Sequence, residues 1–456
     1  MSAELSRAVA DWAHAAYTKS EVPDAALTAA SEHLVDTVAV TVAGLGEAPV
    51  GSMRRATRNR SDAGRFALVL GTAAHALDYD NAQTPSLVHP SCVIVPTAIA
   101  VARELPRPGA RELLRAITIG EEVSLWLGET AVADGNSVLF DRGFHPTAVC
   151  TPIGAAVTAG LLRGIPPEQL AHAIGAAASL SGGILEGNRT GGQTKPMHAG
   201  FAAAAGILAT DLAAAGATAA PTALEGRFGF LHAFLGGEAT MGGPPESAGA
   251  WRVRSVTTKP YPTNGFTHSS IDAALQLRQQ GFRLEPGATL RIGVAGPVLR
   301  TIAFPETAKY APPTSYAARF SGPVVVAIAV LGGSGLGVGL ADFDGENPPG
   351  DAVLAAAARV RFEADPYATA AFPDRVMSRA VGTDSDGRQY RVDIDTGRGG
   401  PDNPLSPRDL RTKFDDCVTP RLGAATTTLW NALQDTITGD DTACVAALST
   451  LAEQLG

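Results

Sequence analysis

Apolar positions recur at helical spacing through the first 250 residues of the chain. Residues 4–17 and 23–43 repeat Leu, Val and Ala on one face, with Pro23 in a first-turn position and Gly44 closing the second run. Cys92–Ala102 is an apolar, Ala-rich run that predicts a helix, with Pro90 in its first turn and His89 at its N-cap. Residues 109–128, 144–162, 167–181 and 199–215 continue the pattern, and their many small residues suit close helix–helix packing. The Arg-rich stretch 54–65 reads as a solvated connection between helices.

The pattern changes near residue 251. Trp251–Val256 alternates as a strand would, and 288–294 and 359–363 do the same. Residues 377–381 and 388–394 flank Asp384-Ser385-Asp386-Gly387, whose Asp-Gly step is a hairpin signal. Ser269–Arg278 is a helix between these strands. Gly397–Pro407 is rich in Gly and Pro and reads as a linker, and 408–454 returns to helix. The fold class expected is mainly α: a large all-helical domain plus a smaller α+β domain over residues 256–404.

Composition narrows the function. At 456 residues the chain calls for two domains rather than one core. A net charge of −9 argues against nucleic acid as a partner. No long apolar run escapes interruption by Gly, Pro or charge, and no signal peptide is visible, so a cytoplasmic protein without membrane contact is expected. Cys92, Cys150, Cys417 and Cys444 show no metal or redox spacing, and no metal site is expected. Two tempting motifs fail on context. Gly332–Gly339 lacks the strand–loop–helix order of a nucleotide loop, and Asp342–Glu346 lacks the last ligand of a calcium loop and is interrupted by Pro348 and Pro349.

Four clusters carry candidate chemistry. The first is His75-Ala76-Leu77-Asp78-Tyr79-Asp80-Asn81, closed by His89-Pro90-Ser91. The others are Arg142-Gly143-Phe144-His145-Pro146, Lys195-Pro196-Met197-His198, and Lys259-Pro260-Tyr261-Pro262 with Gly265-Phe266-Thr267-His268. Two of the five lysines in the chain fall in these clusters. Imidazoles, carboxylates and cations together suit proton transfer beside a substrate carboxylate: histidine gives or takes the proton, and Lys or Arg holds the anion. Dehydration of a β-hydroxy acid, loss of CO₂ from an unsaturated acid, or inversion next to a carboxylate would each use this set. The plainer alternative for any one cluster is a capping loop or a hydrogen-bonded core histidine.

In this order the four clusters resemble the MmgE/PrpD family, which includes 2-methylcitrate dehydratases and cis-aconitate decarboxylases, over nearly the whole chain. The resemblance implies a helical domain of residues 1–255 and 405–456, with residues 256–404 as an α+β lid over the cleft. By motif match it implies Asp78, His89, His145, Lys195 and Lys259 as catalytic candidates. His89 and His145 would form the proton-transfer pair, and the two lysines would bind the carboxylate. Arg142, His198, Asp80, Asn264 and His268 are candidate substrate contacts. His75 reads as structural, and His14, His33, His172 and His232 receive no role. The implied protein is a cofactor-free homodimer acting on a small anionic carboxylate as a lyase, with an isomerase or epimerase as alternative and a non-catalytic binding protein as a third reading.

This chain departs from the family pattern at three places. Asp80-Asn81-Ala82 replaces the usual Asp-Asp pair followed by Thr or Ser, Trp126 stands where an arginine is usual, and Asn264 stands where decarboxylases carry histidine. These changes predict a substrate apart from those of the two named enzymes.

Overall fold

The computed structural model describes residues 4–106, 109–133, 136–187, 192–236, 250–343 and 349–441. It divides into two compact units, Met1–Thr257 with Val418–Gly456, and Thr258–Cys417. Asp344–Glu346 of the calcium-like motif, Cys444 and the end of the expected C-terminal helical stretch lie outside the described residues.

The first unit is helical. Its main helices are α1 (Leu5–Thr18), α2 (Asp24–Gly44), α3 (Ala48–Ala56), α4 (Ala63–His75), α5 (Ser91–Ala102) and α6 (Ala110–Thr130). After a two-residue hairpin, β1 (Val132–Ala133) and β2 (Asn136–Ser137), come α7 (Val138–Asp141), α8 (Pro146–Arg163), α9 (Pro167–Leu180) and α10 (Thr194–Ala214). Local chemistry sets the ends. The Asp62 side chain accepts from the Arg65 amide at 2.8 Å to cap α4. Proline opens α8 and α9, and Gly164 closes α8 in the left-handed region at φ 66°.

Small residues decide how closely these helices approach. A Cβ on Gly71 of α4 would lie 2.9 Å from the Ala199 carbonyl oxygen of α10. A Cβ on Gly200 of α10 would collide with the Leu68 carbonyl oxygen of α4. The two helices therefore meet backbone to backbone, which places the C-terminal end of α4 beside the N-terminal part of α10. α10 is also the one helix among the described residues long and apolar enough to cross a membrane, and 56% of that apolar window is buried.

The second unit is α+β. Strands β3 (Thr289–Val294), β4 (Val360–Ala364), β5 (Ser378–Thr383) and β6 (Gln389–Ile394) form a sheet in the order β4-β3-β5-β6. β3 and β4 are parallel, and the other pairs are antiparallel. The Asp384–Gly387 turn forms as expected: Asp384 Oδ1 accepts from the Asp386 and Arg388 amides at 3.0 and 2.9 Å. The helices His268–Gln279 and Gly322–Leu331 share a buried core with the sheet, including Ile271, Leu277, Leu290, Ile292 and Val326.

Three expectations change. Trp251–Val256 is not a strand: Arg252–Ser255 is a 3₁₀ turn. Its Arg252 guanidinium binds Glu122 and Glu129 at 2.9 and 2.7 Å, and the Val253 amide donates to Glu122, so side-chain carboxylates take the place of a strand partner. The second unit runs to Cys417 rather than to residue 404, ending inside the helix Pro407–Leu422, with Phe414 buried and Asp416 accepting from the Leu340 amide. α10 starts at Thr194, so the Lys195 cluster lies in its first turns rather than ahead of it. The Gly-rich loop is no anion cradle. The Ser334 and Gly339 amides already donate to Asp342 Oδ2 at 2.9 and 2.8 Å.

Gly200→Ala is expected to lower the unfolding free energy by roughly 1–3 kcal/mol, because overpacking at backbone contact forces the helices apart. Urea denaturation measures this, and an unchanged midpoint would show that the α4–α10 contact is slack.

Candidate active site

Four imidazoles gather in the first unit, each brought by a different backbone device. His75 is the last residue of α4. His89 precedes Pro90 and Ser91, where α5 begins one residue later than expected; its amide donates to Thr147 Oγ1 at 3.0 Å. His145 is the N-cap residue of α8, held by its amide bond to the Gly183 carbonyl at 3.0 Å. His198 lies three residues after Lys195 in the opening turns of α10, so both share a face. Ring centroids are 4.9 Å apart for His75–His89, 5.4 Å for His75–His145 and 5.3 Å for His145–His198.

Asp80 organises the group. Its Oδ2 lies 2.8 Å from His75 Nδ1 and 2.9 Å from His89 Nδ1. A carboxylate only accepts, so both rings carry a proton on Nδ1. Asp80 is held well below the usual carboxylate range. Burial opposes its ionisation, and the two imidazoles bonded to it outweigh that cost. His75 is pushed down to about 4, chiefly by burial and against the pull of Asp80. Its buried Nε2 has no hydrogen-bond partner among the described residues. His145 lies well below the ordinary histidine value because of burial, reinforced by His75 and Lys195. His198 is lowered by burial and by Lys195.

The cation is Lys195, whose Nζ lies 2.8 Å from Asp78 Oδ1. Lys195 sits in the first turn of α10, where the helix dipole disfavours positive charge, so Asp78 offsets an unfavourable placement. Asp78 adopts φ 53°, in the left-handed region that Asp tolerates better than most residues. This turn lets Asp78 reach Lys195 while Asp80, two residues on, reaches the histidines.

Behind the cluster runs a buried chain of bonds. Asn81 Nδ2 donates to Ser91 Oγ at 2.8 Å, Ser91 donates to Glu121 Oε1 at 2.5 Å, and Glu121 Oε2 meets His33 Nδ1 at 2.8 Å. Burial would lower His33, and the charge and hydrogen bond of Glu121 overcome it and raise its pKa.

The structure thus joins His89, His145, His198, Asp78, Asp80 and Lys195. Asp80, a candidate substrate contact, is fully buried; its Oδ2 is bonded to two imidazoles, while its Oδ1 has no hydrogen-bond partner among the described residues. Arg142 is exposed after α7 with its guanidinium beside Gly236. The left-handed Gly143, at φ 84°, turns the chain between Arg142 and His145. In the second unit, Lys259 is buried. Asn264 caps a 3₁₀ turn by accepting from the Phe266 amide at 3.1 Å. His268 Nε2 lies 3.2 Å from the Thr263 carbonyl, so it donates there, with its ring edge-on to Tyr261.

The sequence places His75 in the first cluster as a structural residue, and the structure sets it against Asp80, His89 and His145; what the sequence reading missed is the His33–Glu121–Ser91 chain. His75 had a signal in its closeness to Asp80. Glu121 had none, because it lies on a helix distant in sequence. His75, Asp80 and His89 also offer donor atoms within 4.8 Å of one another, a set that could hold a metal ion. The 2.8 and 2.9 Å separations are hydrogen-bond lengths that Nδ1–H donation accounts for in full.

Comparisons with known proteins match both parts of the chain to one family. Residues 7–241 match the MmgE/PrpD N-terminal domain, and residues 261–436 match the MmgE/PrpD C-terminal domain. The cis-aconitate decarboxylase of Mus musculus is 28% identical over 353 residues, covering 76% of this chain and 70% of the mouse protein. That of Homo sapiens is 32% identical over 218 residues, 47% of this chain and 44% of the human protein. An Aspergillus terreus cis-aconitate decarboxylase is 26% identical over 218 residues, 45% of this chain and 43% of that protein.

Folded His75 takes a proton only near pH 4, whereas the unfolded residue takes one near 6.5. The stability it contributes is therefore complete above pH 6.5 and is lost as pH falls towards 4, by on the order of 3 kcal/mol. His145 and His198 act in the same direction. The urea midpoint is expected to be clearly lower at pH 5 than at pH 7.5; equal midpoints would mean that these imidazoles are not held neutral.

Proposed function

The chain belongs to the MmgE/PrpD family, and from that premise we propose that it is a cofactor-independent lyase acting on a small di- or tricarboxylate. The observation that carries this reading is the Asp80 carboxylate shared by His75 and His89. It fixes His89 in the tautomer whose Nε2 faces away from Asp80, and it stabilises the imidazolium formed when Nε2 takes a proton. His145, kept neutral by burial, is the second proton-transfer group. Lys195, already facing one carboxylate in Asp78, has the charge and reach to hold a substrate carboxylate. Lys259, in the second unit, takes the same role by motif match.

Two reactions fit these groups. In dehydration, one neutral imidazole takes the proton next to a carboxylate, the electron pair forms the alkene, and the departing hydroxide takes a proton from the other histidine. In decarboxylation, the C–C bond to one carboxylate breaks and its electron pair moves into conjugation with the remaining unsaturated acid. A histidine N–H then supplies the proton that replaces CO₂. The names of the relatives favour the second, and none of those given above names an isomerase. The family resemblance also carries the proposal of a homodimer, and the interruption of the apolar runs by Gly, Pro or charge carries that of a cytoplasmic protein.

Proton NMR in D₂O tests the reading, with a panel that includes cis-aconitate, citrate-like acids and amino-dicarboxylates. A new alkene or loss of CO₂ by EDTA-dialysed protein is expected; exchange or epimerisation alone would replace the lyase with an isomerase. His145→Ala is expected to lower kcat by about 10²- to 10⁴-fold, the usual worth of general acid–base catalysis. Asp80→Asn is expected to lower kcat by roughly 10²-fold with little change in KM, because the amide can donate to an imidazole nitrogen and favour the other tautomer. Full activity in both variants would remove the histidines from the chemistry.

A further inference from the structure

Lys259 stands in a segment gripped on both sides by one distant stretch of chain, the Gly/Pro-rich run that the sequence presents as a linker. On one side, the Thr258 amide donates to the Gly399 carbonyl at 2.9 Å. On the other, Tyr261 is fully buried, and its hydroxyl donates to Asp272 Oδ1 at 2.6 Å. Arg398 closes the arrangement. Its amide donates to Asp272 Oδ2 at 2.8 Å, its Nε to Asp272 Oδ1 at 3.0 Å, and its Nη2 to the Tyr261 hydroxyl and, at 3.2 Å, to the Leu336 carbonyl. The guanidinium also lies over the Tyr261 ring, 5.4 Å from its centroid.

Gly399 makes the two grips compatible. Its φ is +95°, and a Cβ there would collide with the Thr258 carbonyl oxygen. Its own amide donates to the Asn403 carbonyl at 2.8 Å, which braces the short loop from behind. Only a residue without a side chain lets the loop approach Thr258 closely enough to bond it while Arg398 reaches Tyr261 and Asp272.

We propose that Arg398 and Gly399, with Asp272 and Tyr261, form a clamp that positions Lys259 for binding a substrate carboxylate. These four are positioning residues, since they act through Lys259, and the proposal rests on the carboxylate-binding role given to Lys259 above. The fork of Arg398 serves Asp272 and Tyr261 together, which a lysine at this position cannot do. Losing charge-assisted bonds of this kind corresponds to roughly tenfold in an equilibrium.

The test pairs a structural readout with a functional one. Lys259 is buried, so its acetylation by acetic anhydride, followed by peptide mass spectrometry, is expected to be slow in the wild-type protein. Arg398→Lys and Gly399→Ala should speed it at least about fivefold without changing exposed Lys19, and should raise KM roughly tenfold, with kcat nearly unchanged, for whichever acid of the panel (cis-aconitate, citrate-like or amino-dicarboxylate) the wild type turns over. Tyr261→Phe, which keeps the ring and removes only the hydroxyl link, should move both readouts the same way and serves if the other variants fold poorly. In a Lys259→Met background, Arg398→Lys should add nothing to KM. Unchanged Lys259 labelling, or an equal rise in KM in both backgrounds, would overturn the clamp. Faster labelling with unchanged KM would keep the clamp as a positioning device and overturn the substrate role of Lys259.

Discussion

One buried carboxylate sets the chemistry of the first unit. Asp80 receives a proton donor from His75 and another from His89 through the same oxygen. An anion buried this completely persists only with such donors, so its presence dictates the state of both rings. The consequences spread outward. His75, committed to Asp80 through Nδ1 and stacked on His145, stays neutral, as does His145 itself. Neutral imidazoles beside Lys195 avoid adding positive charge to a helix N-terminus that already carries one cation. Asp78 then remains as the partner of that lysine, at the turn its left-handed backbone creates.

The departures from the family pattern acquire physical meaning in this setting. At Asn81 an amide donates to Ser91, which frees the Ser91 hydroxyl to donate to Glu121. An aspartate there would have to accept from Ser91, competing with Glu121 and placing a second anion in the same buried region. At position 126 the chain carries a buried tryptophan, and Arg252 supplies the guanidinium that Glu122 and Glu129 on α6 require. At position 264 the asparagine caps a turn, a task that suits an acceptor side chain.

Much of this was legible in the sequence because helical periodicity is a local signal. The runs behind α1, α2, α6, α8 and α9 are each rich in apolar residues over their own length, and the Asp384–Gly387 turn carries its own acceptor. The histidine motifs were legible for the same reason. What escaped was non-local. Alternation at Trp251–Val256 mimicked a strand because nothing nearby reveals that Arg252 binds carboxylates on α6. Gly397–Pro407 looked like a linker because the partners of Arg398 lie 126 and 137 positions away. The glycine-rich loop, by contrast, was rightly discounted as a nucleotide loop on its sequence context, and the carboxylates that take its amides, Asp342 and Asp416, arrive only on folding.

The contact between α4 and α10 bears on how this site could change over evolutionary time. Gly71 and Gly200 leave no side chain to trim or enlarge, so the spacing between His75 and His198 cannot be retuned by small substitutions at the crossing. Diversification towards new substrates would have to proceed around a fixed imidazole framework, through residues on the turns that border it. Asn81 and Trp126 are the kind of positions where such a lineage could record its history.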